Sequence, residues 1–377
     1  MDALDIAFAE ARRYLASLDT RPVASRGTPA EMRLPLPAQF PERGIPANDV
    51  VRAIAAAADP GLTANAGGRF FAWVKGGALP AALGTPTMAM NYNPMDVVNV
   101  QAADALRLLR SGTFDVMSVQ IGMASRDDPF FEGIDLIGVS TNMKDLRKAV
   151  DAYREAFDQR LQSKFKAKVL TLWPFGPQVF YCNKPIKSVE DIKCLKVRSF
   201  TPSMAALIQS LGATPVTMQF SEVYPALQRG VADCGVTSPT SGNAGKWGEV
   251  TTHFMPLSVS GSVQGHFMNL DYWNKFSPES QKKILDGFKQ MEDRMWDLAD
   301  TANADAVNCN IGKDPCVKGT KFKMTLVAVT PADEAKVKAA VSSSVLPLWK
   351  ETCNKVDPKC SETWNATVGK VRGLKIQ

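Results

Sequence analysis

Apolar residues recur every three or four positions at Met204, Leu207, Ile208 and Leu211. That spacing puts them on one face of a helix, and Gly212 ends the run. A β-like stretch from Leu195 to Arg198 and a turn at Pro202 precede it. A second apolar run, Pro215 to Met218, leads to Ser221, which has the character of a cap for a helix that carries Val223, Tyr224 and Leu227 and ends at Gly230. Strand, helix, strand, helix predicts an α/β lobe. The same reading predicts strands over residues 88–92, 114–118, 169–172, 178–182, 265–270 and 322–329. It predicts helices over 3–18, 48–58 (capped by Asn48), 102–109, 146–161 and 279–307, from Pro331, and near Ser361. The helix from Glu279 is long enough to connect two lobes, with Ser277 as its cap and Pro278 at its first position. TLWPFGPQ, with two prolines and a glycine, reads as the crossing from one lobe to the other. Residues 125–132, SRDDPFFE, read as a polar loop after a strand, where α/β sheets place ligand-facing groups.

Composition narrows the field. A chain of 377 residues that is 45% apolar can bury a large core and divides into two or three compact units. Its net charge of +6 is spread along the chain without a run of five basic residues, which argues against nucleic acid as a partner. No stretch approaches the roughly 18 to 20 apolar residues that span a membrane. The opening MDALDIAFAEARRYLASLD is acidic first and amphipathic, so no secretory signal is visible in it. The cysteines point the other way. Cys309 and Cys316 flank NIGKDP, and Cys353 and Cys360 flank NKVDPK, two turn-rich loops of equal length that read as disulfides of an oxidising compartment. Zinc is the competing reading, but His253 and His266 lie far from both pairs and no C-x-x-C occurs. Cys182 and Cys194 are a further candidate pair, which would leave Cys234 odd; no base or orienting partner nearby supports Cys234 as a nucleophile.

From about Thr87 to the C-terminus the chain resembles the solute-binding proteins of TRAP (tripartite ATP-independent periplasmic) transporters. The residues that carry the likeness are Arg198 at a strand end, G-A-T-P at 212–215, M-Q-F-S-E-V-Y at 218–224, A-L-Q at 226–228, Gly230 and Asp233, approached by P-I-K-S-V-E-D-I-K from Pro185. The likeness implies an α/β, two-lobe periplasmic-binding-protein-like fold with a long inter-lobe helix. It implies a periplasmic binding protein and not an enzyme, with a small organic acid anion as ligand and TRAP membrane subunits as partners. Arg198 would grip the ligand carboxylate, since a guanidinium presents a planar fork of donors at any relevant pH. Phe220 matches the aromatic that lies against the ligand. Glu222 and Tyr224 read as capping and core residues.

Two departures bear on the ligand. Family members that bind sialic acid or dicarboxylates often carry a second arginine where this chain has Gln178, and the asparagine of D-G-x-E-N is replaced by Thr237. Loss of a cation favours a monocarboxylate with an apolar or aromatic body. Trp173, Phe175, Phe180 and Trp247 are candidate walls.

Residues 1–84 differ in character: mostly helical, with a Pro-rich connection. Their D-T-R-P-V at 19–23 and R-F-F-A-W-V-K-G-G-A-L-P-A-A-L at 69–83 resemble the segment that precedes the catalytic domain in pyridoxal-phosphate-dependent group II amino-acid decarboxylases. No later stretch supplies a lysine in that family's context, so neither pyridoxal phosphate nor decarboxylation is expected, and no cofactor. The chain thus reads as a fusion. Its first lobe comprises 85–174 with 265–303 and lacks its first strand and helix unless residues 69–74 replace the strand. The second comprises 175–264 with 304–377. The rival functions are a decarboxylase fragment and a fusion product without function.

Overall fold

In the computed structural model, which describes residues 3–17, 46–59 and 104–377, the apolar runs of the sequence resolve into two compact units, Met1–Asn93 and Pro94–Gln377. In the first unit, helices α1 (Ala3–Ala16) and α2 (Ala47–Ala58) pack together and bury Ile6 and Ala57. Arg13 donates to Glu10 (2.7 Å) and to Asp59 (3.4 Å). Helix α2 begins one residue before Asn48, and Pro46 occupies the capping position. The expected strand over 88–92, the substitute strand over 69–74 and the junction near residue 85 lie outside the described residues.

The second unit is built on one mixed sheet of seven strands, in the order β1-β6-β2-β5-β3-β4, with β7 beside β6. They are β1 (Val116–Gln120), β2 (Ala167–Cys182), β3 (Lys196–Ser199), β4 (Thr214–Thr217), β5 (Cys234–Thr237), β6 (His253–Asn269) and β7 (Thr325–Leu326). β2 and β6 are the long members, 16 and 17 residues. They pair antiparallel from Ala167↔Asn269 to Cys182↔His253. The pairs β1–β6 and β2–β5 are antiparallel, whereas β3 runs parallel to both β4 and β5. The sequence reading broke β2 at its prolines. The structure keeps the strand continuous and absorbs Pro174 to Pro177 as register slips between Phe175 and Phe180. Among the described residues β1 has one sheet neighbour and forms an edge.

Helices flank the sheet: α3 (Ala105–Arg110), α4 (Met143–Phe165), α5 (Pro202–Ser210), α6 (Phe220–Gln228), α7 (Pro239–Ala244), α8 (Leu270–Trp273) and α9 (Pro278–Ile311). The remainder are α10 (Pro331–Ala340), α11 (Leu346–Val356), α12 (Cys360–Trp364) and α13 (Lys370–Arg372). Ser277 caps α9 with Pro278 at its first position, as the pattern predicts. α6 starts two residues earlier than expected, because Gln219 and not Ser221 occupies the cap and its N–H is taken by Glu222 (2.7 Å). The polar loop over 125–132 forms two 3-10 turns, Ile121–Arg126 and Pro129–Ile134. The predicted strand over 322–329 shrinks to two residues. Phe322 and Met324 give their N–H groups to the last carbonyls of α9, Cys309 (2.8 Å) and Asn310 (3.1 Å), so that backbone caps a helix end instead of joining a ladder.

Three disulfides close the unit. Cys309–Cys316 and Cys353–Cys360 pair as the loop pattern predicts. The third joins Cys182 to Cys234, not to Cys194. Antiparallel register sets Cys182 directly opposite Cys234 across β2 and β5, Cα atoms 4.0 Å apart, whereas Cys194 is exposed and free ahead of β3.

α9 runs along β2. Trp296 donates to the Leu172 carbonyl (3.1 Å), Glu292 accepts from the Leu172 N–H (2.7 Å), and Asn310 donates to Tyr181 (2.7 Å). Between them Asn303 packs against Gly176 so closely that a Cβ on Gly176 would stand 2.0 Å from Asn303 Oδ1. We predict that Gly176→Ala destabilises the protein by about 1–3 kcal/mol through overpacking, and that adding Asn303→Ala recovers part of the loss. Denaturant unfolding of the two variants checks this, and a wild-type midpoint for Gly176→Ala would contradict it.

Candidate ligand site at the ends of the parallel strands

β3 lies between β4 and β5, and Arg198 stands near its carboxyl end, where open α/β sheets place their ligands. Thr201 caps the following helix by accepting from the Met204 N–H (3.1 Å), with Pro202 at the first helical position, so the chain turns sharply just beyond the arginine. The Arg198 side chain is buried. Its Nε–H donates to the Met218 carbonyl (3.2 Å) beyond β4, and Nη1 donates to the Val236 carbonyl (2.9 Å) on β5. The guanidinium sits over the Phe200 ring, 4.9 Å from its centroid. Among the described residues no carboxylate forms an ion pair with it, and Glu222 acts on it only through its field. Burial without a counter-charge pulls its pKa down to about 9.

The other sequence-derived candidates fall into two groups. Phe220 follows Met218 by two residues and stacks on Trp247 (centroids 5.3 Å), which is fully buried and meets Tyr181 edge-on (5.5 Å). Thr237 is buried next to Val236 on β5, and Phe180, fully buried in the main core, lies opposite Val236 on β2. Phe220 and Trp247 thus share a cluster with Tyr181, whereas Phe180, its neighbour on β2, belongs to the main core. Trp173 belongs elsewhere on β2: it packs against Phe175 (5.3 Å), and its indole N–H donates to His266 Nδ1 (3.2 Å). Burial pulls the His266 pKa down to about 4, so its ring is neutral. Gln178 lies between the groups, buried at the register slip, with its amide donating to the Gly176 carbonyl (2.9 Å). Tyr224 donates to Glu249 (2.8 Å), and Glu222 serves the helix cap. Phe200 escaped the sequence reading, although its place two residues after Arg198 puts both on one side of an extended chain.

Among the described residues no group of three or more His, Cys, Asp or Glu side chains is arranged to hold a metal, and no helix is long and apolar enough to cross a membrane. A groove of about 450 Å³ between α4, β2 and α9 shares no lining residue with the Arg198 neighbourhood. Two of its charges pair within it, Arg154 with Glu292 and Lys168 with Asp158.

A continuous mixed sheet with two through-running strands and a helix alongside them defines the two-lobed α/β class of ligand-capturing proteins. The chain belongs to the DctP family, bacterial extracellular solute-binding proteins of family 7, whose model matches residues 98–352. It is 35% identical over 148 residues to the C4-dicarboxylate-binding periplasmic protein DctP of Rhodobacter capsulatus, covering 38% of this chain and 44% of that one. It is 25% identical over 205 residues to the sialic acid-binding periplasmic protein SiaP of Vibrio cholerae, covering 54% and 64%. The matched stretches thus span less than two thirds of these relatives. The fold matches that of DctP7, a Bordetella pertussis extracytoplasmic solute receptor binding pyroglutamic acid, with a TM-score of 0.62 at 20% identity over 71% of this chain and 85% of that one.

Two buried acids lie behind the site. Glu132, on the turn Pro129–Ile134, accepts from the Ser203 N–H (3.2 Å) and the Ser203 hydroxyl (2.6 Å). Asp135 accepts from the Val263 N–H (2.8 Å). Burial raises the pKa of both, that of Asp135 to about 8. A carboxyl raised on folding contributes fully at low pH, and its contribution is lost as pH climbs from about 4 to about 8. The melting temperature should therefore fall across that window, and fall less steeply in Asp135→Asn. Equal slopes for the two proteins, measured by calorimetry at fixed ionic strength, would refute the assignment.

Proposed function

We propose that the protein is an extracytoplasmic receptor that captures a small organic monocarboxylate between two lobes and presents it to the membrane subunits of a TRAP transporter. The observation that carries this is the buried Arg198, which keeps donor capacity and forms no ion pair with a carboxylate among the described residues. Removing a charge from water without a partner is costly, so a site built this way gains most when an anionic ligand enters. The ligand carboxylate would take the free face of the guanidinium. Phe220 and Thr237 would line the pocket with Trp247 and Phe180 backing it, and Gln178 and Trp173 would close it from the other side. The neutral Gln178 favours one carboxylate over two. Pyroglutamic acid, the ligand of the Bordetella receptor, has that chemistry. The lobes are 85–174 with 265–303 and 175–264 with 304–377, hinged on β2 and β6. Ligand contacts from both would stabilise the closed form, which the membrane subunits recognise. Three disulfides support a place outside the cytoplasm. The decarboxylase-like segment would be a fused extension without a catalytic part, since the family match starts at residue 98.

Thermal melts against a panel of mono- and dicarboxylates test the reading. An acid at 100 times its dissociation constant should add about 2.7 kcal/mol to folded receptor. The shift should vanish in Arg198→Ala and be reduced in Arg198→Lys, which cannot reproduce the planar fork. No shift with any acid would reject the receptor, and shifts only with diacids would reject the monocarboxylate.

A further inference from the structure

Glu132 is buried, yet among the described residues it forms no ion pair. Arg160 of α4, which binds Asp128 four residues before Glu132, is already occupied, with Nε on Asp128 (2.6 Å) and Nη1 on Asp357 (2.7 Å). Of the titratable groups nearby in sequence, Asp135 feels the Glu132 charge and Asp128 is bound by Arg160. What its carboxylate does hold is the first turn of α5, through the N–H and hydroxyl of Ser203. An acceptor at a helix N-terminus satisfies a donor left free by the helix and meets the positive end of its dipole. The two partners come from opposite halves of the sheet: the Glu132 turn follows β1, at one edge, and Ser203 follows β3, next to the other edge. A second contact ties the same segments, because a Cβ on Gly122 would stand 2.9 Å from Thr201 Cγ2 and 3.7 Å from the Phe200 ring. The segment held in this way, Phe200 to Ser203, carries the ring beneath Arg198.

We propose that Glu132 is a positioning residue for the acid site: by capping α5 from the other lobe it holds Phe200 and the β3–α5 turn in the closed arrangement that sets the Arg198 guanidinium for its ligand. The proposal rests on the receptor reading above. Its mechanism is that closure of the lobes brings the carboxylate onto the helix end, so ligand capture and the Glu132–Ser203 contact reinforce each other. Glutamine keeps an acceptor oxygen at the same reach; alanine removes it and leaves the Ser203 donors buried without a partner.

The test compares wild type, Glu132→Ala, Glu132→Gln, Ser203→Ala and the Glu132→Ala/Ser203→Ala double variant. Calorimetric titration uses whichever acid stabilises the wild type, and amide hydrogen exchange is followed without ligand. Glu132→Ala should weaken binding about tenfold or more, Ser203→Ala less, and the double variant no more than Glu132→Ala alone, while Glu132→Gln stays within about threefold of wild type. Exchange at Ser203 and Met204 should speed up in Glu132→Ala and not in Glu132→Gln. Wild-type affinity in a folded Glu132→Ala, or fully additive losses, would overturn the proposal. Should no acid bind the wild type, the receptor reading fails by itself, and unchanged exchange in Glu132→Ala would then sink the positioning role as well. If Glu132→Ala does not fold, Ser203→Ala reads the same contact from the other side, and wild-type affinity and exchange in it count against the proposal.

Discussion

The antiparallel pairing of β2 with β6 is the constraint on which the rest of the larger unit hangs. Strands of 16 and 17 residues, bonded from one end to the other, run the height of the sheet. β1 can join only at one side of the pair, beside β6, and β5, β3 and β4 only at the other, beside β2. α9 reinforces the pair by bonding to β2 at Leu172 and Tyr181. The middle of β2, where Gly176 meets Asn303 and the register slips, is the one place along it where side chain and ladder are both thinned.

The electrostatics of the interior follow from that frame. Some buried charges are paired, Arg160 with Asp128 and Asp357 and Glu292 with Arg154. Among the described residues Arg198, Glu132 and Asp135 are buried without an ion pair. The arginine is held by carbonyls and an aromatic ring, the glutamate by a helix end and a hydroxyl, and neither finds an opposite charge. Burial works against the charged form of both, lowering the pKa of Arg198 and raising that of Glu132. The arginine stands near the carboxyl end of β3, and Glu132 links the turn after β1 to the first turn of α5.

Much of this was legible along the chain. The i, i+3, i+4, i+7 spacing of Met204, Leu207, Ile208 and Leu211 gave α5 its place, and Ser277 with Pro278 marked the start of α9. Cys309–Cys316 and Cys353–Cys360 were readable because each closes a short loop, a purely local property. Arg198 was readable from its motif. The pairing of Cys182 was not, because its partner is chosen by register between strands 52 residues apart. The continuity of β2 through two prolines was hidden for a related reason. Proline weakens a local strand signal, while long pairing with β6 supplies hydrogen bonds on either side of the slip.

By itself the sequence determined the identity of the elements, the α/β alternation, the two loop disulfides and the arginine at a strand end, all of which rest on residues close together in the chain. Tertiary structure alone decided that the arginine has no ion-pair partner among the described residues, that Phe200 lies beneath it, that Glu132 reaches Ser203 across 71 residues, and that Trp173 pairs with His266. The physical reason is that a spacing encodes which face a residue presents, whereas the worth of a charge depends on what stands within a few ångströms of it. That environment exists only once distant strands have chosen their partners.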